Sequence, residues 1–280
     1  MARYENGMMD GQRLVFGLAT MWLLQLSAHF LNEYYDQDGD QSNRHRKLFS
    51  GGSGVLADGR LEPTVVLWAG VGALSLATVL MATLTHRFPT FSTTTVGLFS
   101  LAALGAVGYS TPPLAFVKRG LGEMDVTLIV ALLVPLFGYS MQTGAPSLHA
   151  VLAYLPFAAL ILANMLIVAF PDFESDRTTS KRTLVVILGP DRAAQLYTGL
   201  LATVYITSWL TLAFGVPFTV VLTKMATLPV ATLSLWEIRR GGYKLPERYA
   251  RNTFLGISVV VAIGLAEITG FLLLGVTGRT

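Results

Sequence analysis

Two short acidic segments hold the residues best placed to do chemistry: Asn32-Glu33-Tyr34-Tyr35-Asp36-Gln37-Asp38-Gly39-Asp40 and Asp172-Phe173-Glu174-Ser175-Asp176. On a continuing helix Asn32, Asp36 and Asp40 stand one turn apart on one face, and Asp172 and Asp176 repeat that spacing. Like charges stacked this way destabilise an isolated helix, and at its carboxyl end they oppose the macrodipole, so a cation is needed. Magnesium suits the role: it takes oxygen ligands, binds through one or two carboxylates, and fills its other positions with water and substrate phosphates. Asp36 and Asp40 with Asp172 and Asp176 are therefore expected to hold Mg2+ and, through it, one diphosphate. Arg44, Arg46, Lys118, Lys181 and Arg182 lie near the clusters in sequence and are the candidate diphosphate-binding cations, arginine by bidentate contact and lysine as a point charge. Either cluster alone also reads as a solvated, acidic loop start. Two of them in a chain with only 13% charged residues argue for a site.

The elements that must carry these residues are membrane helices. The 280 residues are 52% hydrophobic, and a soluble domain of that size would need more charge to cover its surface. Eight apolar runs approach or reach the roughly 20 residues that cross a bilayer, at 14–31, 65–84, 91–109, 126–141, 148–170, 193–214, 216–235 and 254–276. Pro135 interrupts the fourth and predicts a kink there. The fold class expected is all-α, a polytopic transmembrane helical bundle of about eight helices forming a single domain over 1–280. No cysteine is present, which excludes disulfides, thiolate nucleophiles and cysteine-ligated zinc. The first dozen residues lack the basic start, short apolar stretch and small-residue cleavage site of a signal peptide and read as mature sequence.

Fifteen of the 20 Lys and Arg residues fall in loops after the odd-numbered runs, and only Arg3, Arg13, Arg87 and Arg279 lie on the other face. The positive-inside rule then places the basic loops in the cytoplasm and both termini outside. The two longest basic loops, 36–63 and 171–192, are also the aspartate-rich ones, so the site is expected at the cytoplasmic face of the cell membrane. Phe49-Ser50-Gly51-Gly52-Ser53-Gly54 in the first loop reads equally as a lid or a plain linker. The recurrence of Asp-x-x-x-Asp after runs one and five hints at a four-helix structural repeat.

The pattern Asn-x-x-x-Asp-x-x-x-Asp at 32–40 with Asp-x-x-x-Asp at 172–176 resembles the UbiA superfamily of intramembrane aromatic prenyltransferases, over nearly the whole chain. Within it, Phe170-Pro171-Asp172-Phe173-Glu174-Ser175-Asp176 followed by Lys181-Arg182-Thr183-Leu184 is most similar to the 1,4-dihydroxy-2-naphthoate polyprenyltransferases of menaquinone synthesis. Ser50-Gly51-Gly52-Ser53-Gly54-Val55-Leu56, Gly120-Leu121-Gly122-Glu123 and Gln142-Thr143-Gly144 resemble the same branch. The resemblance implies ionisation of an allylic polyprenyl diphosphate and attack on the cation by an electron-rich aromatic carbon, with loss of carbon dioxide in the naphthoate branch. Asn32 and Tyr109 are then expected to touch substrate, with Tyr109, Tyr34 or Tyr35 shielding the cation through a ring face. For Tyr109 an interfacial belt position reads equally well. The family usually has nine helices, so the one before the first motif is expected to be missing here. It also has an asparagine four residues before the second motif, where this chain has Val168; Asn164 stands one turn further back.

Other polar residues read more plainly. Glu33, Asp38 and Glu174 alternate with the ligand positions and should face solvent or basic loop residues. His29, one turn before Asn32, reads as a packing histidine more readily than as an acid or base. His45, His86 and His149 show no metal-ligand spacing. Lys224 and Glu267 are lone charges within apolar runs and are expected to form an ion pair tying the last two helices. The acceptor alternatives are 4-hydroxybenzoate, a tetrapyrrole or a glycerol phosphate lipid. A cation-coupled transporter, the rival from another class, calls for carboxylates near the bilayer midplane on broken helices. The partners expected are polyprenyl diphosphate, the aromatic acceptor and membrane lipid, with neither nucleic acid nor an obligate protein partner.

Overall fold

In a computed structural model, residues 1–2, 9–37, 53–88, 92–179 and 181–276 are described, and all regular elements among them are helical. Helix α1 spans Gly11–Tyr35 and is started by Asp10, whose carboxylate accepts the Gln12 and Arg13 amides. Helix α2 is Pro63–Arg87, with proline in its first turn, and α3 is Thr93–Gly108, capped by Ser92. A 3-10 turn at Phe116–Arg119 leads to α4, Gly122–Leu128. A π-helical turn, Ile129–Leu133, joins α4 to α5, Val134–Thr143. Pro135 has no amide proton to give Ala131, and the Val134 amide reaches back five residues to Ile129, so the irregularity expected at this proline is a π turn just before it.

Helix α6, Leu148–Ala169, starts on the Ser147 cap. Short helices α7, Phe173–Thr178, and α8, Leu184–Leu188, occupy the second aspartate loop, and α9 is Pro190–Leu210. The run at 216–235 is not one straight span. It is broken into α10, Phe218–Met225, and α11, Leu228–Arg239, bent by 41°. Pro229 accounts for the break, because its ring would clash with the carbonyl one turn back and it has no amide to bond there. Helix α12, Tyr249–Val276, closes the described fold.

Among the described residues, six helical segments are long and apolar enough to cross a membrane, seven if α10 and α11 count as one. The 16-residue α3 is shorter. At about 1.5 Å per residue it reaches roughly 24 Å, less than the hydrocarbon thickness. Each of the eight expected runs thus coincides with a helix or helix pair. Leu18, Trp22, Trp68, Val79, Ile206 and Leu265 all stand exposed, as a surface in contact with lipid tails requires. The chain is a multi-pass membrane protein.

Among the described residues, two large buried clusters hold the bundle, beside a small one around Val220. One gathers Leu160, Leu166, Tyr197, Leu201 and Val259 from α6, α9 and α12, and the other gathers Leu24, Met81, Phe99, Phe137 and Met141 from α1 to α3 and α5. Helices α6 and α12 meet so closely that a Cβ on Gly256 would clash with Ile167 Cγ2. The expected charge pair is present: Lys224 Nζ lies 3.1 Å from Glu267 Oε2 and ties α10 to α12.

Candidate active site

The site is built where α1 ends. Its last turn brings Asn32 and Asp36 onto one face, and the Asp36 amide closes that turn on the Asn32 carbonyl at 2.9 Å. The helix expected to run on to Asp40 stops at Tyr35, and Asp38, Asp40, Arg44, Arg46 and His45 lie outside the described residues. Asn32 Oδ1 accepts a hydrogen bond from Ser110 Oγ at 2.7 Å, which fixes its carboxamide beside the end of α3.

The second cluster comes from the break after α6. The chain turns at Phe170 and restarts as α7, with the Asp176 amide bonded to the Asp172 carbonyl at 2.8 Å, so the one-turn spacing survives on a separate short helix. Asp172 is half-buried and Asp176 buried. Lys181 joins the clusters: its Nζ lies 3.0 Å from Asp36 Oδ2 and 3.9 Å from Asp176 Oδ1. Two carboxylates separated by about half the chain therefore share one ammonium, and both are almost fully shielded from solvent at 4% and 6% side-chain exposure. Burial pushes the Asp176 carboxyl up to about 7, with Asp172 and Asp36 adding to the rise and Lys181 and Thr183 opposing it.

The lysine-bearing segment is itself clamped. The Arg182 amide donates to the Val117 carbonyl at 3.0 Å, which sets Arg182 beside Lys118, both with exposed side chains. Thr183 Oγ1 donates to Asp176 Oδ2 and caps α8 through the Val186 amide, each at 3.4 Å. Glu123, at the start of α4 and 3% exposed, accepts the Leu184 amide on Oε1 at 2.6 Å. Its other oxygen is buried with no hydrogen-bond partner, as is one oxygen of Asp125. Tyr109 packs against Gly122, within electrostatic reach of Asp36, Glu123, Asp176 and Asp125. Tyr34 and Tyr35 stack edge to face on each other at 5.0 Å.

Sequence reasoning missed Ser110, Thr183, Glu123 and Asp125 as members of this cluster. The Gly-Leu-Gly-Glu run signalled Glu123 as a resemblance and gave it no role. Gly105 explains how Asp125 fits, since a Cβ there would lie 2.6 Å from its Oδ1. Glu33, expected to face solvent or basic groups, accepts the hydroxyl and amide of Ser53 at 2.7 and 3.2 Å and so anchors the end of the glycine-rich loop to α1. Glu174 pairs with Arg177 at 3.7 Å. His29 is exposed rather than packed, a correction with a plain cause: its face of α1 is the one that carries Asn32 and Asp36, not the face buried against α2.

Among the described residues no three acidic or histidine side chains form a ready-made metal cage. The donors do fit a hard divalent cation, since Mg2+ uses one or two carboxylates and draws the rest from phosphate and water. Lys181, lodged between Asp36 and Asp176, marks the place where positive charge is required. These carboxylates sit at helix ends beside loops, not at the midplane of broken helices as the transporter reading needs.

Comparison with known proteins agrees. Human UbiA prenyltransferase domain-containing protein 1 is 26% identical over 273 residues, covering 95% of this chain and 77% of that protein. The 1,4-dihydroxy-2-naphthoate octaprenyltransferase of Bacillus subtilis (strain 168) is 23% identical over 186 residues, covering 66% of this chain and 58% of that protein. Among solved structures, the fold is similar to a UbiA homolog from Aeropyrum pernix K1, in its apo form, with TM-score 0.72, 18% identity and coverage of 94% and 91% of the two chains. It is also similar to a UbiA homolog from Archaeoglobus fulgidus bound to DMAPP and Mg2+, with TM-score 0.61, 15% identity and coverage of 92% and 88%. The family model of the UbiA prenyltransferases matches residues 1–258, and with the shared fold and the converging aspartates this chain belongs to that family and is a prenyltransferase.

Proposed function

We propose that this enzyme transfers a prenyl chain from an allylic polyprenyl diphosphate to 1,4-dihydroxy-2-naphthoate, with Mg2+, at the cytoplasmic face of the cell membrane. The observation that carries the reading is the meeting of Asp36 and Asp176 at Lys181. Asp36, Asp40, Asp172 and Asp176 are assigned as the metal-binding and catalytic residues. Arg44, Arg46, Lys118, Lys181 and Arg182 take the diphosphate, and Asn32 and Tyr109 touch substrate. The whole chain acts as one transmembrane domain. Magnesium, when bound, would neutralise diphosphate charge; the Archaeoglobus fulgidus homolog, solved bound to DMAPP and Mg2+, supports this pairing of ligands.

The side chains divide the remaining work. Lys181, the ammonium shared by Asp36 and Asp176, would stabilise the departing diphosphate as the allylic C–O bond breaks and the electron pair leaves with oxygen. Tyr109 presents a ring, held against Gly122, to the allylic cation. The cation then bonds to the acceptor ring carbon that bears the carboxylate, and the bond to that carboxylate breaks, its electrons restoring the aromatic ring as carbon dioxide leaves. Asn32 is oriented by Ser110 toward the same space. The naphthoate acceptor is supported by the motif resemblance and by the Bacillus relative of that name. The basic loops that carry the site support a cytoplasmic orientation.

Purified protein given geranylgeranyl diphosphate and Mg2+ should release diphosphate and prenylate the naphthoate in preference to 4-hydroxybenzoate, a tetrapyrrole or a glycerol phosphate lipid. Product formation should fall at least about 100-fold in Asp36→Ala and Asp176→Ala, a typical loss for an electrostatic group in a site. Equal turnover after both substitutions would sink the site assignment, and preference for another acceptor would sink the naphthoate reading alone.

A further inference from the structure

The connection from α11 to α12 carries a charge arrangement apart from the aspartate site. It is built of two 3-10 turns, Gly242–Lys244 and Pro246–Arg248, and its Tyr243 ring stands 5.2 Å from that of Phe170. Glu237, in the last turn of α11, is buried, with a side chain only 2% exposed. Its Oε1 lies 2.8 Å from Arg251 Nη2 and its Oε2 3.6 Å from Arg248 Nη1, and those arginine side chains are 57% and 39% exposed. A buried carboxylate needs a counter-charge, and one guanidinium supplies it. The second leaves an excess positive charge. Neither arginine has another acidic partner among the described residues.

These two guanidinia are held in place, unlike loose surface charges. The Arg248 amide closes a turn on the Leu245 carbonyl at 2.8 Å, Arg251 lies in the first turn of α12, and Glu237 ties their charged ends together. Each guanidinium has five N–H donors, so sharing one carboxylate leaves donors on both for a further anion. Phosphate oxygens match such paired forks. The surroundings identify what carries the phosphate. Trp236 on α11 and Phe254 on α12 flank the connection and are exposed, and the Arg240 guanidinium stands 4.0 Å from the Trp236 ring centroid. Exposed tryptophan on a membrane helix belongs at headgroup depth. Residues 237–251 hold five cations, Arg239, Arg240, Lys244, Arg248 and Arg251, against the two carboxylates of Glu237 and Glu247. A basic cluster at that depth between two membrane helices complements an anionic lipid.

We infer that Arg248 and Arg251, set on the buried Glu237, bind the phosphate of an anionic phospholipid headgroup at the membrane surface. The binding needs neither prenyl substrate nor metal, so it can be read without turnover. With Trp22, Trp68 and Trp209 changed to Phe, Trp236 is the sole tryptophan of the full-length protein and reports on lipid beside the connection. In bilayers of neutral lipid, dibrominated phosphatidylglycerol should quench Trp236 with an apparent affinity about tenfold above that of dibrominated phosphatidylcholine. Glu237→Gln with Arg248→Gln and Arg251→Gln removes the three charges together and should bring the ratio to within about twofold of one. Should that variant not fold, Arg248→Lys with Arg251→Lys keeps the charge and loses the forks, and its ratio should still fall. Arg239→Gln with Lys244→Gln removes more net charge from the same connection and should keep the parent ratio within about twofold. Inorganic phosphate, added at constant ionic strength, should leave the ratio unchanged. The inference is overturned if the parent shows no preference, or if the Arg239 and Lys244 variant loses as much as the arginine pair, which marks diffuse charge. Abolition of the preference by inorganic phosphate would assign the site to a soluble phosphate and overturn the lipid reading.

Discussion

At the scale of single residues, the buried carboxyl of Asp176 sets a pH dependence with a definite sign. Its folded value is about 7 against an ordinary 3.8, so between those limits the folded, metal-free protein holds a proton that the unfolded chain has released. That contribution to stability is fully present below the ordinary value and is lost as pH rises through about 7. Metal has the opposite preference, because it must displace the proton. Thermal unfolding without metal should therefore shift upward as pH is lowered from about 8 to 5, while Mg2+ affinity, followed by titration calorimetry, should fall over the same range. In Asp176→Asn both trends should flatten.

At the scale of elements, the site depends on contacts between segments that are short or broken. Helix α8 has only five residues and is too short to be stable by itself, so its position comes from Glu123 and Thr183. Glu123→Gln keeps an acceptor for the Leu184 amide and should leave the melting temperature nearly unchanged. Glu123→Ala orphans that amide, and should cost about 1–3 kcal/mol in denaturant unfolding and raise the KM for the prenyl diphosphate, because Lys181 and Arg182 lose their register. Farther from the site, Lys224 and Glu267 hold a bent element to a straight one. Removing either alone leaves a charge in an apolar setting and should destabilise by about 3 kcal/mol, whereas Lys224→Met with Glu267→Leu should come close to the parent. A double-mutant cycle on purified protein measures that coupling, and additive losses would show that the two side chains do not interact.

At the scale of the whole molecule, the proposed orientation puts the basic loops, with Asp36, Asp172 and Asp176, on the cytoplasmic side. The absence of cysteine makes orientation directly measurable. In intact cells Arg87→Cys should react with a membrane-impermeant thiol reagent, and Arg119→Cys should react only after the membrane is opened. The reverse pattern would turn the active site outward.

The sequence by itself determined the helices, the charge-bearing face and the aspartate motifs, because long apolar runs in a membrane must be helical and charges must sit at their ends. It also determined that Lys224 and Glu267 needed partners, since both charges fall deep within apolar runs. Tertiary structure decided the rest. Only packing could show that α1 ends at Tyr35, that α7 is separate from α6, and that Asp36 and Asp176 share Lys181. The same holds for Glu123, whose partner is a backbone amide 61 residues away. Backbone amides are present at every position except proline, so no residue type in the sequence marks which one a buried carboxylate will choose. His29 shows the same division: its spacing put it on the aspartate face, and only the packing of α1 left it exposed and bonded to Gln25.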